Sequence, residues 1–252
     1  MRPCPSLAGS HRRVWAAEAA GTGLLMLGGL SVIAALLAPG SPAGDVIRSH
    51  SERLLLVGVL FSGCVALIAL SPLGRLSGAH LNPAVTLAYR VLGSVTWGDV
   101  ARYLSAQLAG ALAGSLAFRA LWGEGAVSVG GGETHSTIAT PVALLLEATM
   151  TAALVATILA FGSRERLMRW TPVAIVPVIS VLVWQAADYT GTSLNPARSA
   201  GPAIAFGHLG DLWLYLVAPS AGAVALAAVW RSVSTHVRAA AAATPVESRG
   251  PA

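Results

Sequence analysis

Two copies of the tripeptide Asn-Pro-Ala are the residues of this sequence that most clearly suggest a chemical role. The first is Asn82-Pro83-Ala84, inside SGAHLNPAVT, and the second is Asn195-Pro196-Ala197, inside GTSLNPARSAGP. Proline is favoured at the first position of a helix, where no backbone N–H is needed, and asparagine is a preferred N-cap. Each tripeptide therefore predicts the start of a helix, and each asparagine amide can also donate a hydrogen bond to a solute.

The predicted helices are too short to cross a membrane. They run from Pro83 to about Val91 and from Pro196 to about Phe206, whereas a transmembrane helix needs about 20 residues. Each helix N-terminus carries roughly half a positive charge. Two such N-termini facing each other would repel cations and favour solutes that accept hydrogen bonds.

Arg198 follows the second tripeptide, one helical turn after Asn195. An arginine at membrane depth costs at least about 2.5 kcal/mol, and such residues face a bundle interior or a water-filled cavity. We therefore expect Arg198 to line a polar path. Glu18 and Glu147 are also ionisable residues inside apolar segments, at corresponding positions of the two halves of the chain. This position makes them functional candidates by default.

The elements that must position these residues are membrane-spanning helices. The chain is 55% hydrophobic and only 11% charged, whereas soluble domains carry about 25% charged residues. The first apolar run is too long for a signal peptide, and further runs follow it. The apolar segments predict six spans, at residues 14–37, 53–73, 99–122, 138–161, 171–187 and 211–230.

The spans and half-helices divide into two similar halves, with the two asparagines 113 residues apart. Each half holds three spans, so the halves insert with opposite orientations, as in folds whose broken helices meet near the bilayer midplane. Irregular backbone at this depth must be buried in protein or line water. We expect residues 77–81 and 192–194 to line an aqueous path. The predicted organisation is a cytoplasmic tail (1–13), a first inverted repeat (14–122) with half-helix 82–91, an extracellular or periplasmic loop (123–137), a second inverted repeat (138–231) with half-helix 195–206, and a disordered cytoplasmic tail (232–252).

The placement of the arginines tests this topology. All 16 basic residues are arginine, and with both termini in the cytoplasm only Arg48, Arg53 and Arg119 fall outside, while Arg198 lies in the pore. This bias agrees with the positive-inside rule. It also explains the pI of about 10.0 without a nucleic-acid partner. The sequence predicts a multi-pass protein of the cell membrane, plasma or inner, with both termini cytoplasmic.

The two tripeptides with their flanking residues, together with Arg198, resemble the aquaporin family of channels, also called major intrinsic proteins. The similarity covers residues 14–231 and includes AEAAGTGLL near the start and AQLAGALAG from Ala106. The resemblance implies an all-α membrane protein with six transmembrane helices and two re-entrant half-helices in an inverted 3+3 repeat. It further implies a passive channel for water and small neutral solutes that excludes protons and ions. Such channels form homotetramers in the lipid bilayer, with one pore per subunit and no cofactor.

The resemblance also implies a selectivity filter. Counting from the two tripeptides assigns it to Ser62, Val183, Thr192 and Arg198. Strict water channels carry Phe and His at the first two positions, and glycerol channels carry Trp and Gly there, with Phe at the third. With Ser62 and Val183 the filter would be amphipathic and wider than that of a strict water channel. A shift of one residue would place Phe61 or Trp184 in the filter and reverse that conclusion.

Four further polar residues are assigned by the same resemblance. Glu18 and Glu147 are expected to brace the irregular pore loops by accepting hydrogen bonds from the loop backbone, the alternative being a proton relay. His80 either lines the cytoplasmic part of the pore or supports the loop that contains it. Gln107 is expected to brace the third span.

Other functional classes find little support. Gly130–Gly132 precedes no Gly-Lys-Ser/Thr, so it does not predict a phosphate-binding loop. The remaining histidines have no metal-ligand spacing, and no nucleophile lies near a base in the sequence. We therefore predict neither an enzyme nor a metal site. Two alternatives stay open: a facilitator of glycerol, other polyols or metalloid acids with little selectivity for water, and a proton-coupled transporter that uses Glu18 and Glu147.

Overall fold

The computed structural model describes residues 11–243 of the chain. A short 3₁₀ turn at Gly130–Gly132 lies in the connection between the two halves. Within the described residues the α-helices are α1 (His11–Leu37), α2 (Pro42–Val46), α3 (His50–Leu70), α4 (Pro72–Ser77), α5 (Pro83–Val91), α6 (Trp97–Trp122), α7 (Glu124–Ser128), α8 (Thr140–Gly162), α9 (Glu165–Met168), α10 (Thr171–Thr190), α11 (Pro196–Phe206) and α12 (Leu212–Ala243).

Six helices of the described chain are long enough and apolar enough to cross a membrane, namely α1, α3, α6, α8, α10 and α12. The six predicted spans are therefore confirmed, with ends displaced by a few residues. The helix α12 continues to Ala243, so the prediction that disorder begins at residue 232 was wrong. A run of alanines, the strongest helix formers, favours this extension. Residues 1–10 and 244–252 of the two predicted tails lie outside the described residues.

The half-helices α5 and α11 begin and end where the sequence predicts. The span predicted to end at residue 73 ends at Leu70, and the short helix α4 follows it. Ser71 is its N-cap and accepts a hydrogen bond from the backbone N–H of Gly74, while Pro72 occupies the first turn. The irregular backbone is therefore limited to residues 78–82.

The two halves repeat each other element by element, with α1, α3, α5 and α6 corresponding to α8, α10, α11 and α12. Close contacts between small residues occur at equivalent places. A Cβ atom added at Gly110 of α6 would clash with the backbone of Ala19 in α1, and one added at Gly222 of α12 would clash with the backbone of Ala148 in α8. Small residues allow such close approach of membrane helices. Ala19 and Ala148 directly follow the two buried glutamates, so these contacts fix where the glutamates lie.

Candidate functional site: a pore along the helices

A cavity of about 1100 Å³ runs through the molecule. Its lining includes His50 and Ala69, near opposite ends of α3, and Thr171 and Asp188, near opposite ends of α10. A 21-residue helix such as α3 is about 30 Å long. The cavity therefore extends over the length of the spanning helices, as expected of a path from one side of a membrane to the other.

The two asparagines meet beside this cavity and bond the two halves to each other. Asn82 caps α5 through a hydrogen bond from the backbone N–H of Ala84 to its Oδ1 (2.8 Å), and Asn195 caps α11 in the same way from Ala197 (2.9 Å). The side-chain amide of Asn82 donates to the carbonyl of Leu194, and that of Asn195 donates to the carbonyl of Leu81, each at 2.8 Å. Each amide carries two N–H donors, so one remains for a solute in the cavity.

The loops that precede the half-helices hold strained backbone. Four non-glycine residues have positive φ angles: Ala79 (49°), Leu81 (50°), Thr192 (45°) and Leu194 (57°). They form two pairs with the same 113-residue spacing as the asparagines. Such conformations cost on the order of 1–3 kcal/mol each and persist where the surroundings fix them. Both loops line the cavity, in agreement with the predicted aqueous path.

Glu147 braces the second loop. Its Oε1 accepts hydrogen bonds from the backbone N–H of Ser193 (2.9 Å) and from the hydroxyl of Thr190 (2.8 Å), and its Oε2 accepts one from the backbone N–H of Leu194 (3.1 Å). The side chain is fully buried. Its carboxylate therefore satisfies the backbone donors that the strained conformation leaves without a helical partner.

Glu18 holds the equivalent position in the first half. Its Oε1 accepts hydrogen bonds from the backbone N–H of Leu81 and from the side chain of Gln107 (2.8 Å). Gln107 also donates to the hydroxyl of Thr86 in α5 (3.1 Å), so it links α6 to the half-helix. Glu18 is fully buried, and neither it nor Glu147 belongs to the cavity wall.

Arg198 lies at the cavity wall near the end lined by His50 and Asp188. It is only 6% exposed, and its Nη1 donates to the backbone carbonyl of Gly132 at 2.7 Å. Its guanidinium carbon lies 5.7 Å from the centre of the Phe61 ring. Val183 and Thr192, two of the predicted filter residues, line the same cavity.

The fourth predicted filter residue, Ser62, does not line the cavity. Its hydroxyl donates to the carbonyl of Gly58 in its own helix and, at 3.4 Å, to the carbonyl of Val176 in α10, and its side chain is fully buried. The cavity is lined instead by Phe61. Neighbouring residues of a helix point about 100° apart, so the one-residue shift exchanges a pore position for a helix-packing position. Trp184 stays outside the cavity, since its indole donates to the hydroxyl of Ser51 at 2.6 Å.

His80 lies at the other side of the asparagines and has both environments that the sequence suggested. It lines the cavity. Its ring stacks between Tyr89 and Tyr103, at centroid distances of 4.7 and 4.4 Å, and its Nδ1 lies 3.1 Å from the hydroxyl of Thr86. The two tyrosine rings fix the orientation of the imidazole, and Thr86 ties it to the half-helix.

The sequence predicts a loop between α6 and α8 but not that this loop contacts Arg198. Gly130, Gly131 and Gly132 all have positive φ angles, between 59° and 68°, and Gly131 packs so closely on Phe206 that a Cβ atom would clash with the ring. Three consecutive glycines followed by an acid indicate a tight loop, because only glycine adopts this conformation without strain. The carbonyl that holds Arg198 belongs to this loop.

Glu133 follows these glycines and also lines the cavity. Its Oε1 lies 2.7 Å from Nδ1 of His208. Burial raises the pKa of the Glu133 carboxyl above its usual value, and the hydrogen bond with His208 and the positive charge of Arg198 partly oppose this increase. The described residues contain no group of three or more His, Cys, Asp or Glu side chains that could hold a metal ion.

Comparison with known proteins identifies a family by sequence and a similar fold among solved structures. A sequence model of the family described as Major intrinsic protein matches residues 8–230. The chain is 33% identical to the probable aquaporin NIP7-1 of Arabidopsis thaliana over 228 residues, which cover 90% of this chain and 78% of that protein. It is 32% identical to aquaporin NIP1-3 of Oryza sativa subsp. japonica over 197 residues, 75% of this chain and 66% of that protein. The fold is similar to the X-ray structure of the aquaglyceroporin from Plasmodium falciparum, with a TM-score of 0.70 and 24% identity over 90% of this chain and 98% of that one.

Proposed function

The chain belongs to the major intrinsic protein family, whose members are passive transmembrane channels and not enzymes, and from that premise we propose that it conducts water and small neutral solutes while excluding protons and ions. The observation that carries the proposal is the crossed pair of asparagines at the cavity wall. Asn82 and Asn195 cap two half-helices whose N-termini meet at the cavity. The positive ends of both helix dipoles therefore face the passing solute, which favours solute oxygens and opposes cations.

The filter of this channel consists of Phe61, Val183, Thr192 and Arg198. Arg198 supplies hydrogen-bond donors, and Phe61 and Val183 supply an apolar wall on the other side. All four residues line the cavity, and the 5.7 Å distance between the guanidinium and the Phe61 ring brings the polar and apolar walls together. Phe61 makes this filter narrower than one built around Ser62.

A second candidate function is the passage of glycerol, other polyols or metalloid acids with little selectivity for water. Val183 favours it. Strict water channels carry a histidine at this filter position, and the apolar side chain of Val183 can instead contact the carbon atoms of a polyol. A solute with hydroxyls on one face and carbon on the other would meet Arg198 and Thr192 on one side and Val183 on the other. Phe61 opposes it by narrowing the same constriction.

A proton-coupled transporter is the less favoured reading. Such a mechanism needs Glu18 or Glu147 to exchange protons with the solute path. Both carboxyls are fully buried, remain outside the cavity wall and accept hydrogen bonds from the loop backbone. These contacts support a bracing role for both residues.

The channel is proposed to lie in the cell membrane, plasma or inner, with both termini in the cytoplasm. The even number of spanning helices puts both termini on one side, and the distribution of arginines in the sequence favours the cytoplasmic side. The outer mouth is then the end of the cavity lined by His50, Glu133 and Asp188, and the inner mouth is the end lined by Tyr89 and Glu165. The cavity lies within a single chain, which supports one pore per subunit, and the homotetramer is proposed from the family alone.

The proposal is tested by stopped-flow light scattering on proteoliposomes, with water and glycerol as the two solutes. Wild-type protein is expected to speed water flow across the vesicle membrane. Phe61→Ala is expected to raise glycerol permeability about tenfold, which corresponds to removing roughly 1.4 kcal/mol of barrier. Ser62→Ala is the matched control, since it changes the neighbouring residue of the same helix outside the cavity.

Four outcomes separate the alternatives. Water flow with little glycerol flow in the wild type supports a water-selective pore narrowed by Phe61. High glycerol flow in the wild type supports the polyol facilitator. An effect of Ser62→Ala that matches Phe61→Ala would contradict the proposed filter, and folded wild-type protein that passes neither solute would contradict the channel function.

A further inference from the structure

Part of the connection between the two halves lies across α11 and is bonded to it. We call this segment, residues Gly130–Thr134, the strap. Its carbonyl at Gly132 holds Arg198 at 2.7 Å, and its Thr134 hydroxyl donates to the hydroxyl of Ser199 at 2.7 Å. Between these two contacts stands Glu133, which reaches His208 just beyond the end of α11. Three consecutive strap residues therefore contact α11 or the turn that follows it, and they leave the strap little freedom.

Glu133 is held at the wall of the pore. Its side chain is only 12% exposed, yet the residue lines the cavity. A carboxylate in such a place is costly unless it is paired and hydrogen-bonded. Its compensation comes from the bond with His208 and from the positive charge of Arg198, which in turn is acted on by the negative charge of Glu133.

We propose that Glu133 is a specificity-determining residue of the pore, which supplies a negative charge beside Arg198 so that the outer mouth presents both hydrogen-bond donors and acceptors with its charges balanced. The inference rests on the proposed channel function and adds the residue that balances the charge of Arg198 at the outer mouth. Without Glu133, the charge of Arg198 would hold water oxygens more tightly and would draw anions into the mouth.

The other charged groups near Glu133 are few. His208 faces it from the turn after α11, His135 from the strap's own continuation, and Arg198 from α11. The second acid at the outer mouth, Asp188, lies at the end of α10 and pairs with His50 at 3.0 Å. The negative charges that act on Arg198 include those of Glu147 and Glu133, and of these two residues only Glu133 lines the cavity. Asp188 carries the same charge at the same mouth but pairs with His50, so it provides a control.

The test compares wild type, Glu133→Gln, Glu133→Asp and Asp188→Asn in proteoliposomes, with water and chloride permeability measured from about pH 8 to about pH 4. Glu133→Gln is expected to lower water permeability about threefold at neutral pH, a change of roughly 0.65 kcal/mol in the barrier, and to raise chloride leak. The wild type is expected to converge on this variant as acid protonates Glu133. Because burial raises the pKa of Glu133 above its usual 4.5, the convergence begins above that pH. Glu133→Asp is expected to restore the change of permeability with pH, and Asp188→Asn is expected to keep the wild-type dependence of permeability on pH.

Only a change of permeability with pH that Glu133→Gln lacks is assigned to Glu133. If Glu133→Gln keeps the wild-type pH profile and chloride exclusion, the inference is overturned while the channel function stands. If Asp188→Asn changes both as much as Glu133→Gln does, a general mouth charge replaces the specific role of Glu133. If folded wild-type protein passes no water at any pH, the channel function and this inference are both overturned.

Discussion

The two half-helices are built alike and equipped differently. Asn82 and Asn195 cap α5 and α11 with the same bonds, and each donates to the other loop. Three residues after the asparagine, however, the first half has Val85 and the second has Arg198. Both side chains line the cavity. The duplicated scaffold therefore supplies the path, whereas the chemistry that selects among solutes is concentrated in the second half.

The braces follow the same division. Glu147 uses both carboxylate oxygens, and its negative charge acts on Arg198. Glu18 accepts through Oε1, while its Oε2 has no hydrogen-bond partner among the described residues. The first half instead adds Gln107, where the equivalent position of α12 is Pro219. The apolar half-helix α5 is thus held by a neutral amide, whereas α11 carries Arg198 and has the negative charge of Glu147 near it.

The largest expected effect comes from erasing the difference at Arg198. Arg198→Val makes the second half resemble the first and removes the cation that faces incoming ions. We expect proton or cation leak to increase by at least about tenfold, since one charge at a constriction contributes well over about 1.4 kcal/mol to the barrier. The measurement is the decay of a pH gradient across proteoliposomes, read with an internal dye. Unchanged proton exclusion would show that the helix dipoles suffice without Arg198.

A smaller effect is expected when each brace is neutralised. Glu147→Gln places an amide nitrogen opposite a backbone N–H donor and removes the counter-charge of Arg198, which should cost about 3 kcal/mol of unfolding free energy. Glu18→Gln can turn its amide nitrogen toward the side without a donor and should cost only about 1 kcal/mol. Thermal unfolding of both variants in detergent measures the difference. Equal losses would mean that the charge of Glu147 is not needed to balance Arg198.

The two loops also differ at one pair of equivalent positions, His80 and Ser193, each of which contacts a hydroxyl six residues later in the chain. His80 contacts Thr86 at 3.1 Å, and its counterpart Ser193 contacts Ser199 at 2.6 Å. His80→Ser removes two ring stackings and should lower the unfolding free energy by about 2 kcal/mol. We expect ion exclusion to persist in this variant, because Arg198 and both asparagines remain. Loss of ion exclusion, assayed by the same dye measurement, would show that selection is shared between the halves.

The smallest effect is expected at the far ends of the half-helices, where the halves are most alike. Arg119 donates to the carbonyl of Ala205 at 2.7 Å and lies over the ring of Phe206, and Arg231 donates to the carbonyl of Val91 at 3.1 Å. Positive charges at helix C-termini are stabilising, so Arg119→Gln should cost about 1 kcal/mol. Arg231→Gln should cost less, because its hydrogen bond is exposed. Thermal midpoints of the two variants test this order, and the reverse order would contradict it.

The sequence predicts the spans and the two half-helices because their signals are local. Proline and asparagine define the starts of α5 and α11 within three residues, and the length of each apolar run defines the spans. The roles of Glu18 and Glu147 as braces rest on the family resemblance, and their hydrogen bonds with the loop backbone agree with these roles. The helix starts and the spans depend on residues close together in the chain, which a sequence records directly.

The filter position in α3 could not be predicted in the same way. Counting back from Asn82 crosses irregular backbone, the short helix α4 and the end of α3, so an error of one residue accumulates before Ser62 is reached. A rotation of about 100° per residue then turns the error into the wrong face of the helix. The contact of the strap with α11 could not be predicted for a related reason, because an irregular loop has no periodic sequence pattern. Only the three glycines before Glu133 signalled that the loop is tightly bent.

The crossed asparagine bonds also set an order of events during biosynthesis. Neither the amide of Asn82 nor the carbonyl of Leu81 can find its partner until residues 194 and 195 have been made, 113 residues after the first asparagine. At translation rates of about 5–20 residues per second, this interval lasts on the order of 6–20 s. During that time the first half-helix lies in or near the bilayer with its polar tip unpaired. A chain truncated between α6 and α11 would lack both partners, so its first half could not complete its own pore.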